Sequence, residues 1–166
     1  MVNLKRLGRH VLHGNRALRR RFPPPVLASI ESAVGRSETI HGGEIRFVVE
    51  ASFPWDAVWT GLTPRQRAMD VFAQCGVWDT EENNGVLIYV LLADRDVEIV
   101  ADRGLNKKIV SAQWEDVCRV METHYRQGHF EKGSLAGLEM VTQLLARHFP
   151  PGAHNPNELP NKPTLL

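Results

Sequence analysis

Residues 83–110 read NNGVLIYVLLADRDVEIVADRGLNKKIV, and the two apolar runs in this stretch decide the fold. The first, 86–92, follows Asn83-Asn84-Gly85; the second, 97–101, follows the charged corner Asp94-Arg95-Asp96 and ends on Asp102-Arg103-Gly104. Two short β-rich runs bounded by turn residues predict a hairpin. Its open end collects polar residues.

Working outward, Ile45, Phe47 and Val49 alternate with Glu44, Arg46 and Val48, which predicts a first strand over 44–50. Thr63-Pro64 supplies an N-cap and a first-turn proline for a helix to about Cys75, with Ala68, Val71 and Phe72 inward. Between them, Pro54, Trp55 and Trp59 indicate a helical turn or a packed loop. Before the first strand, Pro23-Pro24-Pro25 opens a helix that places Val26, Leu27, Ile30 and Val34 inward. After the hairpin, Ser111 is the expected N-cap of a helix carrying Trp114, Val117, Cys118, Met121 and Tyr125. Leu135, Leu138, Val141, Leu144 and Leu145 mark a last helix, ending before Pro150. A strand–helix–strand crossover requires a parallel pair with a right-handed connection, and the hairpin adds an antiparallel strand. The expected product is an α/β fold, a small mixed sheet with helices on both faces.

A chain of 166 residues, 43% hydrophobic and 23% charged, suits one compact domain with tails. The expected division is a basic arm over 1–22, an α/β domain over 23–149 and a tail over 150–166 that holds five prolines. Seven of the 20 basic residues precede the first acidic one, Glu31, leaving 13 against 19 acidic residues in the rest. Leu4, Leu7, Val11 and Leu18 stand at near-helical spacing among those basic residues. The arm can therefore touch acidic lipid as a peripheral membrane contact, or it folds onto the acidic body or frays, and Gly8 and Gly14 favour the latter readings over a freestanding helix. No aromatic residue interleaves with the arginines before Phe22, which speaks against nucleic acid. With no signal-peptide pattern and no apolar run long enough to span a bilayer, a cytoplasmic location is expected. Cys75 and Cys118, in no CxxC pattern, read as buried thiols, with a disulfide left open.

Strand direction decides which polar groups can meet. If 44–50 and 86–92 run parallel and 97–102 returns, Glu44, Asn84 and Asp102 share one sheet edge with Asp79, Glu81 and Glu82 from the preceding loop. Carboxylates and amide oxygens on loops suit a hard cation, Ca²⁺ or Mg²⁺. The same residues form turns, and on residue types alone a solvated acidic loop is the plainer reading. Asp94-Arg95-Asp96 reads as a hairpin closure. The histidines at 10, 13, 41, 124, 129, 148 and 154 form no zinc-ligand spacing, although His124 and His129 are placed to cap carbonyls. Ser111 and Ser134 fit N-caps better than nucleophiles, and no phosphate loop with Lys-Ser/Thr is present.

Several spaced elements resemble the TPM domain family: Asn84-Gly85, Asp94-Arg95, Gly104-Leu105, then Tyr125-Arg126-Gln127-Gly128-His129-Phe130 and Gly133, with GGEIRFVVE upstream as the first strand. The resemblance covers about 25–149 and implies a three-layer α/β/α sandwich. It brings several roles, since a chloroplast-lumen member is described as an acid phosphatase, bacterial members are associated with divalent cations, and an animal member is a receptor accessory subunit. This chain is similar to the short cytoplasmic bacterial type. Where relatives have glycine-tyrosine-glycine-leucine it has Asp102-Arg103-Gly104-Leu105. Two functions are then expected. The preferred one is a non-catalytic binding or accessory module, with an unidentified protein partner and a divalent-cation site on one sheet edge. The alternative is a metal-assisted acid phosphatase in which Asp79, Glu82, Asp102 and Glu44 hold Ca²⁺ or Mg²⁺ and Arg103 binds phosphate.

Overall fold

The computed structural model describes residues 4–12, 14–152 and 155–166; the start of the basic arm, His13 and His154 lie outside the described residues. Helices α1 (Leu4–Leu12), α2 (Asn15–Arg21) and α3 (Pro24–Ser37) precede strand β1 (Glu44–Glu50). Helices α4 (Trp55–Trp59) and α5 (Pro64–Gln74) then lead to β2 (Gly85–Leu91) and β3 (Asp96–Ala101). Helices α6 (Arg103–Asn106), α7 (Ser111–Arg126) and α8 (Phe130–His148) follow, and a two-residue strand, β4 (Thr164–Leu165), ends the chain.

The sheet has the order β3-β2-β1-β4. β1 pairs in parallel with β2, Glu44 opposite Gly85, and β2 pairs antiparallel with β3, Val86 opposite Ala101. β4 is an addition to the expected sheet: it pairs in parallel with β1, and Leu166 N–H donates to the Val49 carbonyl at 2.9 Å. Every residue of β2 is buried, as expected of a central strand covered on both faces.

Side-chain alternation sends the two faces of the sheet into two cores. Ile45, Phe47, Val49, Val86, Ile88 and Val90 pack against α3, α7 and α8, and α2 and its C-cap add Leu18 and Phe22. Val48, Leu87, Tyr89 and Leu91 face α4 and α5 through Val58, Ala68 and Val71. The fold is therefore the expected α/β/α sandwich. Within the second layer Arg67 forks onto Glu50, with Nε to Oε2 at 2.9 Å and Nη2 to Oε1 at 3.2 Å. The Tyr89 hydroxyl meets Glu50 Oε2 at 2.6 Å, tying α5 to the two central strands.

Helix α5 starts as its sequence dictates: Gln66 N–H donates to Thr63 Oγ1 and Gln66 Oε1 accepts from Thr63 N–H, a reciprocal cap ahead of Pro64. Helix α7 is capped one residue earlier than expected. Val110 takes the N-cap position, its N–H donating to Gln113 Oε1 at 3.2 Å, so Ser111 is already helical. Ser134 likewise lies inside α8, buried, where its hydroxyl donates to the Phe130 carbonyl and meets the Tyr125 hydroxyl at 2.8 Å. Both cysteines are free and half-buried, Cys75 in the α5 core and Cys118 in the α7 core. Among the described residues no helix is long and apolar enough to cross a membrane.

The described part of the basic arm packs on the body. Arg6 Nε and Arg9 Nη2 reach the two oxygens of Asp94 at 2.9 and 3.0 Å, and His10 Nε2 lies 3.2 Å from Oδ2. His10 is 3% exposed and its Nδ1 accepts the Phe53 N–H at 2.8 Å. Asp94 therefore anchors α1 as well as standing in the hairpin corner.

Candidate cation-binding edge

The open end of the β2–β3 hairpin is held together by two close backbone approaches. A Cβ on Gly85 would lie 2.0 Å from the Val77 carbonyl oxygen, and one on Gly104 would lie 2.4 Å from the Asn83 carbonyl oxygen. Only glycine allows the loop 76–84 to lie this close to the sheet on one side and to α6 on the other. Asn83 adopts φ 53°, in the left-handed region that asparagine tolerates, and its carbonyl accepts the Gly104 N–H at 3.1 Å. These contacts bring Asn83 and Asn84 to the same edge as Asp102 and Arg103.

Asp102 caps the short helix α6, with Oδ1 accepting the Arg103 N–H at 2.6 Å. Its other oxygen, Oδ2, is buried without a hydrogen-bond partner. The residue is 8% exposed. Asn84 is bound on three sides: its N–H donates to Thr80 Oγ1, its carbonyl accepts from Glu44 N–H, and its Nδ2 donates to the Gly42 carbonyl. Asn84 Oδ1, like Asp102 Oδ2, is buried and unpartnered. Arg103 is exposed, and its Nε donates to Asn83 Oδ1 at 2.9 Å.

The other expected ligands are placed differently. Asp79 and Glu82 are exposed on the loop. Glu44 is 2% exposed, and its Oε2 accepts the N–H groups of Glu158 and Leu159 at 3.2 and 3.0 Å, so it fastens the C-terminal segment to β1. Burial raises the Glu44 pKa; those two hydrogen bonds oppose the shift and the Glu158 charge adds to it. Among the described residues no three His, Cys, Asp or Glu side chains stand grouped to hold a metal ion. What the edge offers a cation is two buried oxygens in need of a partner, with the exposed carboxylates of Asp79, Glu81 and Glu82 on the adjoining loop.

A second titratable group lies just behind Glu44 and was not evident from the sequence. Glu38 Oε1 accepts the Ile45 N–H at 3.2 Å, and the side chain of Asn155 bonds the Glu38 and His41 carbonyls. Burial pushes Glu38 up to about 7, the Ile45 hydrogen bond opposing and the Glu44 charge adding. Burial also brings His41 down to about 4. A carboxyl raised in the fold contributes its full stability below its unfolded pKa and loses it as pH rises through the folded value. Glu38→Gln, which keeps the acceptor, is accordingly expected to stabilise the protein by about 1–2 kcal/mol at about pH 8 and by nothing near pH 4. Urea melts at the two pH values check this.

The TPM domain family model matches residues 22–144. The chain belongs to the TPM domain family. The order of Asn84-Gly85, Asp94-Arg95 and Gly104-Leu105 in this TPM domain now has a physical basis in the two close approaches and the hairpin corner. The BA42 protein from the psychrophilic bacterium Bizionia argentinensis is 30% identical, with 86% of this chain and 93% of that one covered at a TM-score of 0.75. The N-terminal domain of a P. gingivalis protein shares the fold at 19% identity and a TM-score of 0.58, with 74% and 76% of the two chains covered. None of the curated proteins compared matches the chain.

Proposed function

We propose that this TPM domain is a non-catalytic binding module whose ligand edge is the open end of the β2–β3 hairpin, with a divalent cation at its centre. One observation carries the reading: Asp102 Oδ2 is a buried carboxylate oxygen without a partner, and such a group costs free energy until a cation or donor meets it. Asn84 Oδ1, a neutral oxygen at the same sheet edge, has the same need, and Asp79 and Glu82 lie on the loop that would close over an ion. All-oxygen ligation of this kind selects Ca²⁺ or Mg²⁺. Glu44 supports the site from behind by holding the C-terminal segment.

The test is a titration of the protein with Ca²⁺ and Mg²⁺ followed by backbone NMR. Amides of 80–85 and 101–106 are expected to move saturably at millimolar ion or below. Asp102→Asn keeps the α6 cap and removes the charge, and is expected to weaken binding by at least about tenfold. Unmoved amides in the wild-type protein would reject the proposal.

The placement of Arg103 supports the metal-assisted phosphatase as a second reading. Its guanidinium is steered by Asn83 at the same edge and is exposed, so it can take a phosphate beside a cation held by Asp102. This reading still needs a nucleophile or general base. Cation-dependent hydrolysis of p-nitrophenyl phosphate that disappears in Arg103→Gln would favour it, and an inactive wild-type protein with bound Ca²⁺ would leave the binding module.

A further inference from the structure

Positive charge gathers at the closed end of the hairpin, far along β2 from Asp102. A cleft of about 610 Å³ opens there between the last turn of α2, the start of α3 and the first turn of α8, bordered by Arg20, Arg21, His129 and Lys132. Among the described residues Arg20, Arg21 and Lys132 form no ion pair. Arg95, whose Nη1 donates to the Arg126 carbonyl at 3.3 Å, adds its charge nearby. Burial, then the charges of Arg95 and Arg20, lower the Arg21 pKa, as expected of like charges with no counter-ion between them.

Arg21 is also held in readiness. Its guanidinium lies 5.2 Å from the centre of the Phe130 ring, and its Nη1 is buried with no hydrogen-bond partner. Phe130 is fixed in turn by Phe22 and Tyr125, at ring distances of 5.7 and 5.2 Å. The floor of the cleft is apolar, formed by Phe130, Pro23 and Val26. His129, the N-cap residue of α8, makes no side-chain cap, and the positive end of this nineteen-residue helix dipole borders the same cleft. Glu131, on that first turn, is the single acid on the border.

The cations are spread over α2, α8 and the hairpin corner, rather than converging on one point as a phosphate clamp would, and exposed Arg16 and Arg19 extend the same face along α2. That pattern fits several anions on one extended ligand, with an apolar side chain between them. We propose that this cleft docks an acidic peptide segment of a protein partner, its carboxylates on Arg20, Arg21 and Lys132 and an apolar side chain against Phe130 and Val26. Nucleic acid would meet the same charge, but the cleft offers one aromatic wall, 8% exposed, in place of a series of stacking platforms. The site is separate from the cation edge and does not depend on it.

The experiment is fluorescence anisotropy of the full chain, in low-salt buffer containing EDTA, with a labelled peptide of glutamates around a central Leu-Phe pair. Saturable binding is expected, weakened about tenfold in Arg20→Gln/Lys132→Gln and unchanged in Lys107→Gln. Arg20, Lys107 and Lys132 are all exposed, so these variants should keep the fold. Replacing the Leu-Phe pair with serines should weaken binding severalfold, because the apolar floor is then unused. No saturation, equal binding by the serine peptide, equal loss in Lys107→Gln, or tighter binding of a single-stranded oligonucleotide would each overturn the proposal.

Discussion

Gly85→Ala is expected to cost about 3 kcal/mol or more, lowering the melting temperature by roughly 10 °C, or to prevent folding outright. The added Cβ would stand 2.0 Å from the Val77 carbonyl oxygen, 2.9 Å from Val77 Cγ1 and 3.1 Å from the Val77 carbonyl carbon. A side chain can rotate away, but a backbone carbonyl moves only with its loop. Moving that loop separates 76–84 from the sheet and takes Asn83 and Asn84 away from the Asp102 edge. A folded Gly85→Ala protein should therefore lose cation binding together with stability. Thermal melts and Ca²⁺ titration of the same sample check both effects.

Asp94→Asn is expected to destabilise the protein by about 2–4 kcal/mol at neutral pH and to open the basic arm to trypsin. The change removes the charge that faces Arg6, Arg9 and His10 at 2.9, 3.0 and 3.2 Å. Burial would raise the Asp94 pKa, but hydrogen bonds from His10 and Arg6, with the charges of both, outweigh it and hold the carboxyl below its ordinary value. An acid depressed in the fold contributes stability that is complete above its unfolded pKa and is lost as pH falls through the folded one. The difference between wild type and Asp94→Asn should thus be constant at neutral pH and shrink below about pH 4. One neighbour works the other way: burial first, and then Glu98, Glu122 and Asp94, raise Asp96 to about 6, so removing the Asp94 charge relieves part of that repulsion. Urea melts across pH, with trypsin digestion at neutral pH, measure the effect.

The hairpin was legible because its information is local. Asn84-Gly85, two β-branched runs and a three-residue polar corner specify strand, turn and return within one stretch, and strand direction then places Asp102 at the same edge as Asn84. The sequence failed where partners lie far apart along the chain. Glu44 looked like a free ligand at a strand end, yet its Oε2 is engaged by backbone N–H groups at 158 and 159. β4 is two residues long, too short for any periodicity, and exists because Val49 and Ala51 offer an edge to Leu166. The arm showed its charge but not its destination, which depends on Asp94, 88 positions beyond Arg6. Arg21 carried no local signal, since its buried Nη1 and its stacking on Phe130 arise only when α8 packs beside α2.

The central claim, that the hairpin's open end holds a divalent cation, rests on the orphaned oxygen of Asp102. A crystal structure of the protein grown with calcium tests it most directly. The account predicts an ion at about 2.3–2.6 Å from Asp102 Oδ2, with Asn84 Oδ1 or a loop carboxylate in its shell. Crystals in which Asp102 Oδ2 is met by an ordered water or a protein donor, with no ion at this edge, would contradict it.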